Sequence, residues 1–330
     1  MENSKKLSGR NIAIAATLIV LFGVAFVLVL RAYRQEGEKR SAVISESGEK
    51  DPNHVEIFVK LVSVDPIKGD TSARLEFIPH GDLTSGEGVS LTKDLKLFVN
   101  SATGKQEHVF EKGKRMNPVD VTINLYDGQV TDYPFDEHHA HLELSLTAQE
   151  KQEKAKAATT ASPGNPAGEE SGNEGAHQNQ TEQVAKPEAS PSSGAIPIAV
   201  DFFGSIHGLS IQATKSPDSS NTFVAIEMSF VRASTVKFFC IFVMFVMWGV
   251  AIMVLLLTLA VSLRGRKVEL TMFTFMSALI FALITLRNAQ PGSPPIGSYS
   301  DYLSFFWAEI IIALCLLTII GVWLYRPPAK

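Results

Sequence analysis

Residues 238–261 read FFCIFVMFVMWGVAIMVLLLTLAV, an apolar run with no charge in it. Coiled as an α-helix at ~1.5 Å per residue, such a run crosses the ~30 Å hydrocarbon core of a bilayer. Three other stretches read the same way. Leu270–Leu286 is slightly shorter, Leu303–Tyr325 carries one acid, Glu309, and Asn11–Leu30 (NIAIAATLIVLFGVAFVLVL) is uncharged. The last could be a secretory signal. However, its apolar run exceeds the usual core of ~7–15 residues and no small-x-small cleavage site follows, so it is predicted to stay as an anchor. Four spans are expected.

Basic residues near the span ends orient such a chain, because cytoplasmic loops are enriched in Lys and Arg. The short link Ser262–Glu269 holds Arg264, Arg266 and Lys267 and is predicted to be cytoplasmic. Four alternating spans then place both termini inside. Lys5, Lys6 and Arg10 agree with this at one end, Arg326 and Lys330 at the other. Arg31, Arg34, Lys39 and Arg40 leave the flank of the first span ambiguous, and the link breaks the tie. The expected location is therefore the cell membrane, multi-pass, with residues 31–237 outside the cytoplasm.

That outer region has two unlike parts. Val55–Ser63, Ala73–Ile78, Leu95–Val99, Val119–Leu125, His139–Leu146, Ile196–Phe203 and Phe223–Val231 are short alternating runs rich in β-branched and aromatic residues, separated by Gly, Pro and Asp. Such punctuation predicts an antiparallel β-sandwich. Between the fifth and sixth runs, Gln149–Gly194 is dominated by Ala, Glu, Gln, Lys, Ser, Pro and Gly. It lacks the large apolar residues that would offset its ordering entropy and reads as a disordered insertion. The expected order is tail 1–10, anchor 11–30, linker 31–54, sandwich 55–147 with 195–233, insertion 148–194, spans 238–261 and 270–286, outer loop 287–302, and span 303–325.

Within the outer region, residues 131–146 read TDYPFDEHHAHLELSL, a proline turn leading into an alternating strand. Ala140, Leu142, Leu144 and Leu146 share one face of that strand, and His139, His141 and Glu143 share the other. His-x-His is a ligand spacing, but zinc takes three or four protein ligands and no second half-site is visible. The polar face is read as solvated and metal-free, with His139, His141 and Glu143 as weak candidates. In Tyr133-Pro134-Phe135-Asp136, Pro134 fixes φ and Asp136 can accept from nearby backbone N–H groups, which favours a tight turn.

The YPFD turn with its alternating strand resembles a family of membrane proteins catalogued only as a domain of unknown function, family 4436. Leu286–Glu309 (LRNAQPGSPPIGSYSDYLSFFWAE) carries most of that resemblance, along with the order of anchor, β domain and three closing spans. The Gln149–Gly194 insertion is no part of it, and the family implies no activity. More remotely, the layout resembles pentameric ligand-gated ion channels. Their β domain has a (Phe/Tyr)-Pro-Phe-Asp loop, matched by Tyr133–Asp136. A helix going inward, a basic link, a pore helix and a proline-bearing outer loop follow in the order of Phe238–Val261, Arg264–Lys267, Leu270–Leu286 and Arg287–Asp301. This chain departs in its extra N-terminal span, its missing fourth helix and its lack of flanking cysteines. The resemblance implies that Tyr133–Asp136 docks on the outer loop and couples the β domain to the helices.

The helices hold two further signals. Thr271, Thr274, Ala278, Ala282 and Thr285 form one helical stripe, suited to a pore but more commonly to close packing. Glu309 is an acid about two turns into its span, a position that calls for a partner or for water. Arg287 is the natural partner, Arg232 and Lys237 are alternatives, and Asp301 completes the polar group at that interface. Cys240 and Cys315 both fall in predicted spans, so no disulfide framework is expected outside. No G-x-S-x-G, H-E-x-x-H, C-x-x-C pair, P-loop or dinucleotide fingerprint is present, so no enzyme and no cofactor is expected. With a net charge of −4 and no basic exposed region, nucleic acid is disfavoured. The expected partners are membrane lipid, a second copy of the chain, and a ligand the sequence does not name.

Overall fold

A computed structural model describes residues 41–44, 51–85, 90–149 and 194–326, together with separate positions between 17 and 34. The tail, most of the anchor and the insertion at 150–193 therefore lie outside the described residues. From Ser41 onward, the described residues form ten strands and then three helices: β1 (Ser41–Ile44), β2 (Val55–Asp65), β3 (Asp70–Pro79), β4 (Leu95–Val99), β5 (Glu107–Phe110), β6 (Val119–Tyr126), β7 (Glu137–Ala148), β8 (Ile198–Ser205), β9 (Leu209–Lys215), β10 (Phe223–Arg232), α1 (Ser234–Arg264), α2 (Leu270–Asn288) and α3 (Phe306–Tyr325).

The strands run in the order β1-β8-β2-β3-β6-β7-β10-β9, with β4 on the far half of β7 and β5 beyond it. β6 joins the two halves, pairing with β3 through Val119–Asn124 and with β7 through Leu125 and Tyr126. Both halves contribute to one core, in which Ile57, Leu75, Leu97, Leu142, Leu144, Phe202 and Phe230 are fully enclosed. Alternation explains why these residues are inside: β7 has the burial rhythm expected of a strand with one face on the core.

Three features differ from the sequence reading. β2 and β8 pair in parallel, so the sheet is mixed rather than antiparallel. The reason is connectivity, because Ala148 and Gly194 meet at one end of β7 and β8 must then run back alongside β2. β1, β5 and β9 are strands that the periodicity did not reveal. Each is short or half polar, with few buried residues (β1 buries Ala42 and β5 Phe110), so each carries little alternation. β1 also lies within the stretch read as a linker.

The three helices are long and apolar enough to cross a membrane. They share a core built from stripes at helical spacing: Val243, Met247, Ala251 and Val254 of α1 meet Ala308, Ile312, Cys315 and Ile319 of α3. α2 contributes Met276 and Leu283. The outer faces carry exposed Phe245, Phe281, Leu314 and Leu317, as suits a lipid-facing surface. Gly265, in the left-handed conformation (φ 66°), ends α1. The Arg326 guanidinium donates to the carbonyls of Val261, Ser262 and Arg266 and so satisfies groups that a helix end leaves open.

Candidate functional site

β10 runs through Arg232 and Ala233 directly into α1, so the β domain sits on the head of this helix. The YPFD turn is brought to the same place from β6. Asp127 and Gly128 bend the chain in the left-handed region, and a side chain on Gly128 would collide with the Glu137 carbonyl and the His138 ring. A single 3-10 turn, Val130–Asp132, then leads into Tyr133, whose bond to Pro134 is cis.

Tyr133 is fully buried, packed with Ala233, Val236, Cys240 and Met244. Its phenol donates to the Pro291 carbonyl at 2.7 Å and lies 3.0 Å from Cys240 Sγ. With the phenol proton committed to Pro291, the thiol is the donor in the second contact. The Tyr133 carbonyl accepts from Ser300 N at 3.2 Å. One residue of the β domain thus holds α1 and both ends of the outer loop. Burial first, and then the Cys240 contact, push the phenol well above the usual tyrosine range, so it stays a neutral donor.

Beside it lies a buried charge cluster. Asp136, with a fully enclosed side chain, takes Arg232 Nε at 3.0 Å and Nη2 at 2.9 Å, with His138 Nε2 at 3.1 Å. The same guanidinium stands 5.1 Å from the Tyr133 ring centroid. A Cβ on Gly292 (φ 81°) would stand 2.9 Å from Arg232 Nη1, so the loop backbone approaches the cation closely because glycine is there.

A second buried pair organises the loop itself. Arg287 gives Nε to Asp301 Oδ1 at 2.9 Å and Nη2 to Oδ2 at 2.8 Å, in fork geometry, and Nη2 also reaches the Pro295 carbonyl at 2.8 Å. Gly297 N donates to the same Asp301 carboxylate, and Ser298, Ser300 and Gln290 form a chain of hydroxyl and amide contacts. Asp301 opens a π-helical turn, Asp301–Phe305, at the head of α3.

The sequence-based residues distribute as follows. Tyr133 and Phe135 both meet the loop, Phe135 through an edge contact with Tyr299 at 6.3 Å between ring centroids. Asp136 reaches the loop through Arg232 rather than directly. Arg287 pairs with Asp301, and Glu309 does not share that guanidinium; its Oε1 is enclosed with no hydrogen-bond partner. The expected Arg287–Glu309 pair is thereby corrected: Asp301 sits at the mouth of the loop, where its carboxylate meets both prongs of the guanidinium. His141 pairs with Glu143 at 3.1 Å and His139 approaches Glu137 at 3.5 Å. Among the described residues, no group of three His, Cys, Asp or Glu converges as metal ligands would. Sequence reasoning missed His138 as a partner of Asp136. Because β7 begins at Glu137, His138 falls on the buried face with Ala140 and Leu142.

Residues 45–166 match the family model described as Domain of unknown function (DUF4436), which bears out the resemblance to family 4436 over that part of the chain. Residues 232–326 match a second model, Domain of unknown function (DUF8686). Leu286–Glu309, the stretch that carried most of the resemblance, lies within the second match and not the first. The YPFD turn belongs to one matched region and the outer loop to the other, so the junction described above joins the two. No curated protein matches the chain.

Proposed function

We propose that this is a non-enzymatic, multi-pass protein of the cell envelope whose β domain lies outside the cytoplasm and binds a ligand or partner. The Tyr133–Asp136 turn passes that event to the helices. A single observation carries the reading: the buried Tyr133 phenol bridges the β domain, α1 and the outer loop. Packed interiors transmit displacement rather than absorb it, so a shift of this turn displaces Pro291 and the head of α1. The tryptophans supply a test, since Trp248, Trp307 and Trp323 all lie on helices and their fluorescence reports the bundle alone. Unfolding followed by this signal should coincide with loss of the protease-resistant β domain. Two separate transitions in the unaltered protein would mean that the turn couples nothing.

A second reading, an oligomeric channel or sensor, is favoured by one observation. Thr271, Thr274, Ala278, Ala282 and Thr285 are all exposed on α2, so this stripe is left largely uncovered by the described residues. The Thr274 and Thr285 hydroxyls donate to carbonyls of their own helix, which leaves a small, smooth face suited to a second copy. Native mass spectrometry of detergent-purified protein decides between them. A closed ring supports the channel, and a monomer sinks it.

A further inference from the structure

We propose that the bilayer surface is a partner of the YPFD turn: Phe135, Ile296, Tyr299 and Tyr302 form a patch that sinks into the headgroup layer beside the β domain. This deepens the reading above and rests on α1 crossing the bilayer. All four side chains are exposed, Ile296 at 83% and Tyr302 at 63%. The Phe135 ring meets Tyr299 edge-on, and the Tyr302 ring meets Phe306 of α3 at 5.4 Å between centroids. Tyr299 and Tyr302 stand three apart in helical backbone and share a face. That face continues without a charge through exposed Ile310, Leu314 and Leu317 of α3.

The length of α1 sets the depth of the patch. Its 31 residues span ~46 Å at ~1.5 Å each, well over the ~30 Å of hydrocarbon. The basic link after Arg264 marks one boundary. Counted back from there, ~30 Å of helix ends near Met244. Cys240, which lies 3.0 Å from the Tyr133 phenol, is one turn further, ~6 Å beyond the hydrocarbon edge. The headgroup layer adds ~5–7 Å on each side, so the turn stands within it. Trp248 Nε1 donates to the Leu303 carbonyl at 2.9 Å, which sets the head of α3 ~6 Å on the inner side of the same edge. Phe135, Tyr299 and Tyr302 thus descend across the boundary.

The chemistry of the patch fits that layer. Tyrosine pairs an apolar ring with a polar tip and gathers where hydrocarbon meets headgroups. The loop holds its side chains there rigidly, because Pro295 and Gly297, on either side of Ile296, are tied to the buried Arg287–Asp301 pair. An apolar patch held out in this way marks a surface that another phase or molecule covers, and its continuity with the outward face of α3 selects lipid.

Spin labels read the depth in the full chain. Ile296→Cys and Tyr299→Cys are labelled separately in phosphatidylcholine nanodiscs, with Lys105→Cys as the exposed β-domain reference and Leu314→Cys as the mid-helix reference. Native Cys240 and Cys315 are buried, and the labelled unaltered protein supplies the blank. Power saturation compares accessibility to oxygen, which concentrates in lipid, with accessibility to a water-soluble nickel chelate. The oxygen-to-nickel ratio at both loop sites should be several-fold above that at Lys105→Cys and below that at Leu314→Cys. A ratio equal to that of Lys105→Cys puts the patch in water and overturns the proposal. Labels shielded from both reagents overturn it too, because protein, such as a second copy, then covers the patch. If Leu314→Cys itself reads as water, the crossing of the bilayer fails and the proposal falls with it; if Leu314→Cys reads as lipid and only the loop sites read as water, the crossing stands.

Discussion

At the scale of single residues, the junction depends on two different kinds of contact. Tyr133 contributes a neutral hydrogen bond to Pro291, and its removal in Tyr133→Phe leaves one carbonyl without a donor, a loss of about 1–2 kcal/mol. Among the described residues, Asp136 is the carboxylate that pairs with the nearly enclosed Arg232, so Asp136→Ala strands a buried cation. Breaking a buried pair from one side costs about 3–5 kcal/mol. Denaturant unfolding in detergent should therefore rank Asp136→Ala well below Tyr133→Phe in stability; the reverse order would show that the guanidinium is satisfied without its acid. The roles were unevenly legible in the sequence. Proline, aromatic and aspartate in one tetrapeptide announced a tight turn, but not that Tyr133 would be fully buried while Phe135 stays half exposed. The assignment of the Asp136 carboxylate to Arg232 was not visible, because 96 positions separate the two and only the fold closes that gap. Glu309 shows the same limit, since sequence order offered Arg287 while the loop placed Asp301 nearer.

At the scale of elements, strands with a full buried face were legible and edge strands were not. β2, β3, β7 and β10 each show alternation long enough to read, whereas β1 and β5 contribute four residues each. The excursion between β7 and β8 is closed at its root: Ala148 N donates to the Gly194 carbonyl at 2.8 Å, and Thr147 bridges Ala195. Residues 150–193 can then be replaced by a short Gly/Ser turn without moving either strand. Loop-closure entropy falls by about 0.6 kcal/mol for each halving of loop length, so the shortened protein should be as stable as the original or slightly more so. Limited proteolysis and the unfolding midpoint report this. A β domain that no longer resists protease after the deletion would show that the segment contributes to the fold.

At the scale of the whole molecule, the proposed reading requires the sheet and the basic α1–α2 link to lie on opposite sides of the membrane. The geometry makes that requirement sharp, because α1 carries 31 residues between Ala233 at the sheet and Gly265 at the link. At ~1.5 Å per residue its length exceeds the ~30 Å hydrocarbon core, so its two ends cannot share a side if it crosses. Arg264, Arg266 and Lys267 cluster at the link, and Arg326 returns to the same end by capping the carbonyls of Val261, Ser262 and Arg266. Lys and Arg beside span ends favour the cytoplasmic face. Exposed positions exist at both ends, Lys105 in the β domain and Arg266 in the link, while native Cys240 and Cys315 are buried and give little background. In intact cells an impermeant maleimide should label Lys105→Cys and leave Arg266→Cys unlabelled until the membrane is opened. Labelling of Arg266→Cys in sealed cells would invert the molecule. The β domain would then face the cytoplasm, and the proposed ligand or partner would have to be cytoplasmic.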